Sequence, residues 1–492
     1  MSRLAGRARA LWGPFATSDP PMPPGARVTV TVLLVLAFAL RFAVAWRLPN
    51  IHQADEIYQA AEQASRAVNG YGIVSWEFQT ASRPALLAAL VLPIYRVTAS
   101  PHAHQMLQAA LFCALSLIPV WVAFHWASRL YGITAGVLAS GLMAMWFELV
   151  YFAPKATADL VGAYFFLPAV LLGRPQSSPG ARVMAGLCLA LALGIRMQIA
   201  PAIAIVAVCL LVAHGPRRAV PLAAGFAAGL AIVGAIEWIW WGAPFRGHWG
   251  YLEAEFVHGA SRYFGRQPVT FYLKTYTLMY GGLLPVLAFL IVAGAKDAPI
   301  LLLAAIALIL PFHAIGHKEY RFIVVATPVL VLLAGLGGAR LMMRFSPRPR
   351  RTATLLLGGA AVAMLAISLG DTYRDNWYRD GNHIRAFADV GRQEDACGLA
   401  LLGILWPHTP GYSGLGRNVS IYPLARDEAP STVAAQANYI LAAPKAPPPG
   451  PPYAAWKAYD RPLEIVYRRP GGCVPDPARR IEYPPSIPGT RE

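Results

Sequence analysis

The first 370 residues of this chain are a succession of apolar runs, each parted from the next by a short polar or basic segment. The runs occupy 27–46, 104–127, 132–151, 158–173, 183–197, 200–213, 219–241, 270–293, 299–315, 321–342 and 353–370. About 20 apolar residues let a helix cross the hydrocarbon of a bilayer. A helix does so without stranding backbone N–H and C=O groups away from water. The predicted architecture is therefore an all-α polytopic membrane protein of about 11 crossings. Composition agrees: 56% of the 492 residues are hydrophobic, 14% are charged and the mean hydropathy is +0.45. These values exclude a soluble globule and a disordered chain.

A net charge of +17 would suggest nucleic acid if it formed one stripe. Instead the arginines gather at the ends of apolar runs: Arg3, Arg7, Arg9 and Arg27; Arg174 and Arg182; Arg217 and Arg218; Arg344, Arg348, Arg350 and Arg351. That is the positive-inside pattern of cytoplasmic loops, and no nucleic-acid partner is expected. With every basic cluster in the cytoplasm the crossings alternate consistently. The predicted layout is a cytoplasmic tail over 1–26, a transmembrane domain over 27–370 and an exported domain over 371–492. Long outer loops fall at 47–103 and 242–268. The outer face is periplasmic in a bacterial inner membrane, or lumenal in an endoplasmic-reticulum membrane.

Three local features refine this layout. Segment 84–99, with Arg83 and Arg96 at its ends, would break the alternation if it crossed, and reads as an interfacial helix. Residues 183–213 must leave and re-enter the cytoplasm in a length of about 46 Å, against roughly 60 Å for two full crossings. Such short helices usually line a cavity. The Arg-rich start and Ala43-Val44-Ala45 also fit a cleaved signal peptide, but the length of the first run favours a retained anchor. Beyond residue 371, runs such as LALLGIL, ANYILAA and LEIVYRR between turn-rich loops predict a small α/β domain. Cys397 and Cys473 fall in it, where an oxidising compartment would favour a disulfide. Cys113, Cys188 and Cys209 lie in apolar runs and read as small hydrophobes.

Two polar constellations stand against this apolar background. The loop after the first run holds His52, Asp55, Glu56, Gln59, Glu62, Arg66, Trp76 and Glu77. As a continuous helix it would set Asp55, Gln59, Glu62 and Arg66 on one face. A carboxylate here could accept the proton of an attacking hydroxyl, or the acids could simply cap a helix N-terminus. His52 with Asp55 or Glu56 has metal-ligand spacing but no third ligand nearby; no metal is assigned, and a divalent ion is left open. The second constellation is His317-Lys318-Glu319-Tyr320-Arg321-Phe322, squeezed between two runs. Charges so close to hydrocarbon mark a functional site by default, and Lys and Arg suit a phosphate headgroup. A snorkelling cluster meeting ordinary lipid is the competing reading. Arg196, at the turn of the short hairpin, has either a phosphate role or one of binding freed helix carbonyls. Lys155 and Asp159 read as an i, i+4 pair. In the aromatic-rich outer segment from Glu237, Trp and Tyr often just mark the interfacial belt, while rings interleaved with His248, Glu253, Arg262 and Arg266 also describe a surface that could stack on sugars.

Taken in order, these pieces resemble the mannosyltransferases of GPI-anchor and lipid-linked-oligosaccharide assembly, polytopic enzymes of the GT-C fold. The family's H-P-D-E-like motif corresponds to His52-Gln-Ala-Asp55-Glu56, without the proline. Its G-Y-G, T-W-E-W and R-S elements correspond to Gly70-Tyr71-Gly72, Ser75-Trp76-Glu77-Phe78 and Ser82-Arg83-Pro84. The late H-K-E-x-R-F signature stands intact at 317–322. Glu237, Trp240-Trp241-Gly242 and Gly259-Ala-Ser261-Arg-Tyr-Phe264-Gly265 match the middle segment, while Leu193-Gly-Ile-Arg196 and Lys155-Ala-Thr157-Ala-Asp159 only approximate theirs. The resemblance implies an inverting transfer from a polyprenyl-phosphate-linked mannose to a glycan or glycolipid hydroxyl. It makes an acid of the first loop the base, Asp55 with Glu56 second. His317, Lys318, Arg321 and Arg196 would hold the donor phosphate. His52, Trp76, Glu77, Lys155, Asp159, Glu237 and Arg262 would contact substrate. No cofactor is implied beyond the lipid-linked co-substrate. The same fold using another polyprenyl-phosphate sugar, and a non-catalytic transporter of lipid-linked glycans, are the alternatives.

Overall fold

The computed structural model describes residues 2–16 and 21–484. Of the tail expected over 1–26, residues 1 and 17–20 lie outside the described residues. The chain divides into two compact units, one of residues 1–44 and 110–374, the other of residues 45–109 and 375–492.

The first unit is helical, and every run predicted to cross finds a helix. Among the described residues, six helical stretches are long and apolar enough to span a bilayer: Ala26–Arg47, Pro101–Tyr131, Met197–His214, Pro216–Trp241, Thr327–Phe345 and Pro349–Leu369. Shorter apolar helices at Ile133–Met145, Ala158–Leu172, Pro179–Ile195 and Pro299–Ala314 account for the marginal runs. The run at 270–293 is not straight. It forms Phe271–Tyr280 and Leu283–Ala295, bent by 107° at Gly281, whose φ of +51° is open to glycine at little cost.

Helices without a strong apolar face pack here through small residues, the expected device where lipid is as apolar as leucine. A methyl on Gly186 would run into the Leu222 carbonyl and one on Gly225 into the Val183 carbonyl, so Pro179–Ile195 and Pro216–Trp241 touch backbone to backbone. Arg41, buried within its spanning helix, is accounted for by helix breaks. Its Nη1 donates to the Ser116 carbonyl (2.5 Å) and Oγ (2.7 Å), and its Nη2 to the Met143 carbonyl (2.9 Å). It thereby satisfies backbone freed where neighbouring helices end.

The second unit joins residues 45–109 to the C-terminal segment. Five strands, β1 Gly398–Leu402, β2 Ser420–Leu424, β3 Tyr439–Ala442, β4 Ala454–Tyr459 and β5 Glu464–Arg468, form one sheet in the order β2-β1-β3-β5-β4. The first three are parallel and the last two join antiparallel. LALLGIL, ANYILAA and LEIVYRR supply β1, β3 and β5. One core packs Leu399, Leu401, Ile421, Tyr439 and Leu441 of the sheet with Phe387 and Val390 of the helix Gly381–Gly391. Tyr58 and Ile73 of the loop belong to the same core. The 84–99 segment forms the helix Leu86–Val97, which buries Leu87, Ala88, Val91 and Tyr95 along one stripe. Cys397 and Cys473 are disulfide-bonded, with Cα atoms 5.6 Å apart.

Candidate functional site

In the second unit the acidic loop begins with a helical turn, Ala54–Glu56, capped reciprocally by Gln53 and Glu56. Glu56 is buried, and its Oε1 accepts the backbone N–H of His52 and, at 3.2 Å, of Gln53. Glu56 thus fixes the entry to the turn, a use of acids at helix starts. Asp55 faces elsewhere. Its carboxylate lies 3.8 Å from the Arg83 guanidinium, which lies 3.6 Å from Glu77. Glu77 in turn accepts from Gln59 Nε2 at 2.9 Å. Asp55, Arg83, Glu77 and Gln59 form one polar line. Arg83 entered the sequence analysis only as part of a motif and a segment boundary; here it joins both acids.

The continuous helical face expected through Arg66 is interrupted. Residues Ile57–Ala61 form a π turn before the α-helix Glu62–Asn69 resumes. Glu62 is fully buried, and its carboxyl group accepts the backbone N–H of Ile73 (2.8 Å), Tyr412 (3.1 Å) and Ser413 (2.8 Å). Burial pushes its pKa up and the three N–H donors oppose that rise. Glu62 is an internal tie of this unit. His52 is buried, and Trp76 starts the helix Trp76–Gln79.

In the first unit three separate stretches meet around Phe322. Asp159 stands in the first turn of Ala158–Leu172, and Arg196 is the C-cap of Pro179–Ile195, where the short hairpin turns. Their side chains pair at 3.0 Å, both almost fully buried. Gly162 makes the approach feasible, since a methyl there would strike Ile199 and crowd Arg196. The Arg196 guanidinium lies 5.8 Å from the Phe322 ring centre and that of Arg321 lies 5.5 Å from it. Within the 317–322 signature, Glu319 accepts from His317 Nε2 at 2.9 Å and from Arg321 Nε at 2.7 Å. Lys318 bonds the Ile315 carbonyl. Tyr272 sends its hydroxyl within electrostatic reach of Asp159 and Glu319.

Several buried polar atoms in this cluster carry no hydrogen-bond partner: Arg196 Nε, His317 Nδ1, the Tyr272 hydroxyl and the Thr157 hydroxyl. Buried polar atoms are normally satisfied. A guanidinium N–H and a phenol hydroxyl left without an acceptor suit an oxyanion. Lys155 lies over the Tyr151 ring at 5.0 Å. Glu237 accepts the Gly247 N–H at 2.7 Å beside His248, so it pins the start of the long loop. Arg262 is exposed on that loop.

Glu148 escaped sequence reasoning because it sits inside the run at 132–151. Its side chain is fully buried and accepts from Trp146 Nε1 at 2.9 Å and from the hydroxyls of Tyr280 and Tyr320. A lone acid in a spanning run was the signal.

Known proteins resemble this chain in sequence and in fold. The chain is 25% identical over 323 residues to GPI mannosyltransferase 3 of Yarrowia lipolytica, a match that spans 62% of this chain and 62% of that relative's length. Its fold is similar to that of ArnT from Cupriavidus metallidurans bound to undecaprenyl phosphate, with a TM-score of 0.59 and 14% identity over 89% of this chain and 97% of that one. The apo form of that protein gives a TM-score of 0.57 at the same coverage. The fold is thus GT-C, and the chain is an integral membrane protein. The profile of the Alg9-like mannosyltransferase family matches residues 30–379, and the chain belongs to that family.

Proposed function

We propose that this protein transfers a mannosyl residue, with inversion, from a polyprenyl-phosphate-linked donor to a hydroxyl of a glycan or glycolipid on the periplasmic or lumenal face of the membrane. The observation that carries the reading is the cluster of buried cations and unsatisfied donors around Phe322. It is suited to a phosphate arriving from the bilayer, and a fold neighbour is described as bound to undecaprenyl phosphate. A disulfide in the C-terminal segment supports an oxidising compartment for that segment.

In this mechanism the acceptor oxygen attacks the anomeric carbon opposite the phosphate while Asp55 takes the hydroxyl proton. The bond between that carbon and the phosphate oxygen breaks, and polyprenyl phosphate leaves carrying one more negative charge. Arg196 and Arg321, with the Tyr272 hydroxyl, stabilise that charge as it develops. The leaving group needs no proton, so one carboxylate suffices, unlike the paired acids of glycoside hydrolysis. Glu56 holds the turn that presents Asp55, and Arg83 with Glu77 sets the direction of its carboxylate.

The test is transfer of radiolabelled mannose from synthetic polyprenyl-phosphate-mannose by the purified full chain in detergent, with glycolipid acceptors. Loss of transfer in Arg196→Gln and Arg321→Gln, with weakened binding of sugar-free polyprenyl phosphate, is expected. Unchanged binding of that phosphate in both variants contradicts the assignment.

A further inference from the structure

Glu148 is a fully buried carboxylate in the helical unit, and its partners are neutral donors from three separate elements. Burying a carboxyl group is costly unless hydrogen bonds replace its water. Here Tyr320 serves Oε1, while Trp146 and Tyr280 serve Oε2. Aromatic packing closes the surroundings. Tyr276 stacks on Tyr280 with ring centres 5.6 Å apart and meets Tyr320 at 6.1 Å, and Trp146 meets Tyr280 at 5.8 Å.

The identity of one partner gives this anchor its meaning. Tyr320 stands between Glu319 and Arg321, the residues whose mutual bond sets the guanidinium beside Phe322. It is also the first residue of the helix Tyr320–Val324, so its direction fixes how the chain turns from the His317-Lys318-Glu319 stretch into that helix. Losing that bond would leave a buried polar atom without a partner, which is costly, so the Tyr320 hydroxyl is a firm tether.

We infer that Glu148 is a positioning residue for donor binding, holding the 317–322 turn through Tyr320 so that Arg321 and His317 are preset for the phosphate. This rests on the proposed donor role of that turn. Glu148 does not touch substrate in this scheme; it acts only through Tyr320.

The experiment is a double-mutant cycle in the full chain, with Tyr320→Phe and Glu148→Gln alone and together, and Tyr280→Phe as comparison. It measures kcat and the KM for polyprenyl-phosphate-mannose and for acceptor. Tyr320→Phe removes one oxygen and keeps the ring, so folding is retained. Each of the first two variants is expected to raise donor KM by about 10-fold with acceptor KM unchanged. The double variant should be no worse than the poorer single, and Tyr280→Phe should raise donor KM less. Additive effects, a change confined to kcat, or unchanged donor KM in Tyr320→Phe would overturn the inference. A wild type that transfers no mannose refutes the proposed function instead; an active wild type that needs Arg321 but not Tyr320 or Glu148 refutes only this inference.

Discussion

Asp159 and Arg196 face each other at 3.0 Å with both side chains almost fully buried, and they join the start of one short helix to the end of another. Breaking a buried pair by removing one partner typically costs 3–5 kcal/mol, about twice the loss of an ordinary hydrogen bond or more. Asp159→Asn is therefore expected to lower thermal stability in detergent markedly by leaving the guanidinium uncompensated. Asp159→Asn combined with Arg196→Gln should recover much of that stability yet transfer no sugar, since the phosphate cation is gone. Differential scanning fluorimetry beside the transfer assay checks both halves. Full activity in the double variant contradicts the role given to Arg196.

In the C-terminal segment, His383 has both ring nitrogens bonded to acceptors: Nδ1 to the His408 carbonyl at 2.6 Å and Nε2 to Glu464 at 3.1 Å. Asp380 lies 3.7 Å away and itself bonds His408. Burial works to lower the pKa of this imidazole, but the Glu464 hydrogen bond and charge outweigh it and raise the value above the ordinary 6.5. Two donating nitrogens are the imidazolium form. A folded value above the unfolded one makes the contribution to stability complete below about pH 6.5 and lost as pH rises through the folded value. Melting temperature should fall across that window, and His383→Gln should flatten the slope while lowering stability at pH 6. An unchanged slope in the variant contradicts the account.

The Cys397–Cys473 bond closes a loop of 76 residues in sequence. On the chain-entropy view a loop of that size is worth about 4 kcal/mol. The Cys397→Ser, Cys473→Ser variant is expected to melt several degrees lower and to lose protease resistance first in the C-terminal segment. Limited proteolysis read by mass spectrometry tests this, and identical cleavage kinetics would show that the bond carries no such load.

Much of the helical unit was legible because spanning length and basic flanks are one-dimensional signals. All eleven runs correspond to helices. The 107° bend at Gly281 was not, since an apolar run reads the same straight or folded. β2 lies outside the three runs named above; its Pro423 is accommodated because β2 is an edge strand. In the acidic loop the motif implied Asp55 as the base, with Glu56 second. What separates them is which backbone N–H groups Glu56 accepts, a matter of local geometry. Glu62 looked like a member of a reactive face, whereas its partner Tyr412 lies 350 positions away, beyond the reach of any periodicity. Glu148 and Tyr272 were hidden for a like reason: each gains its meaning from residues that only folding brings near.

The measurement that bears most directly on the central claim is mannose transfer from polyprenyl-phosphate-mannose by wild type, Asp55→Asn and Glu56→Gln, each shown to melt as a folded protein. A positioned general base contributes roughly a hundredfold to ten-thousandfold. The account predicts a loss of that size in Asp55→Asn with donor KM little changed, and a smaller, stability-linked loss in Glu56→Gln. Asp55→Asn transferring mannose as fast as wild type would contradict it.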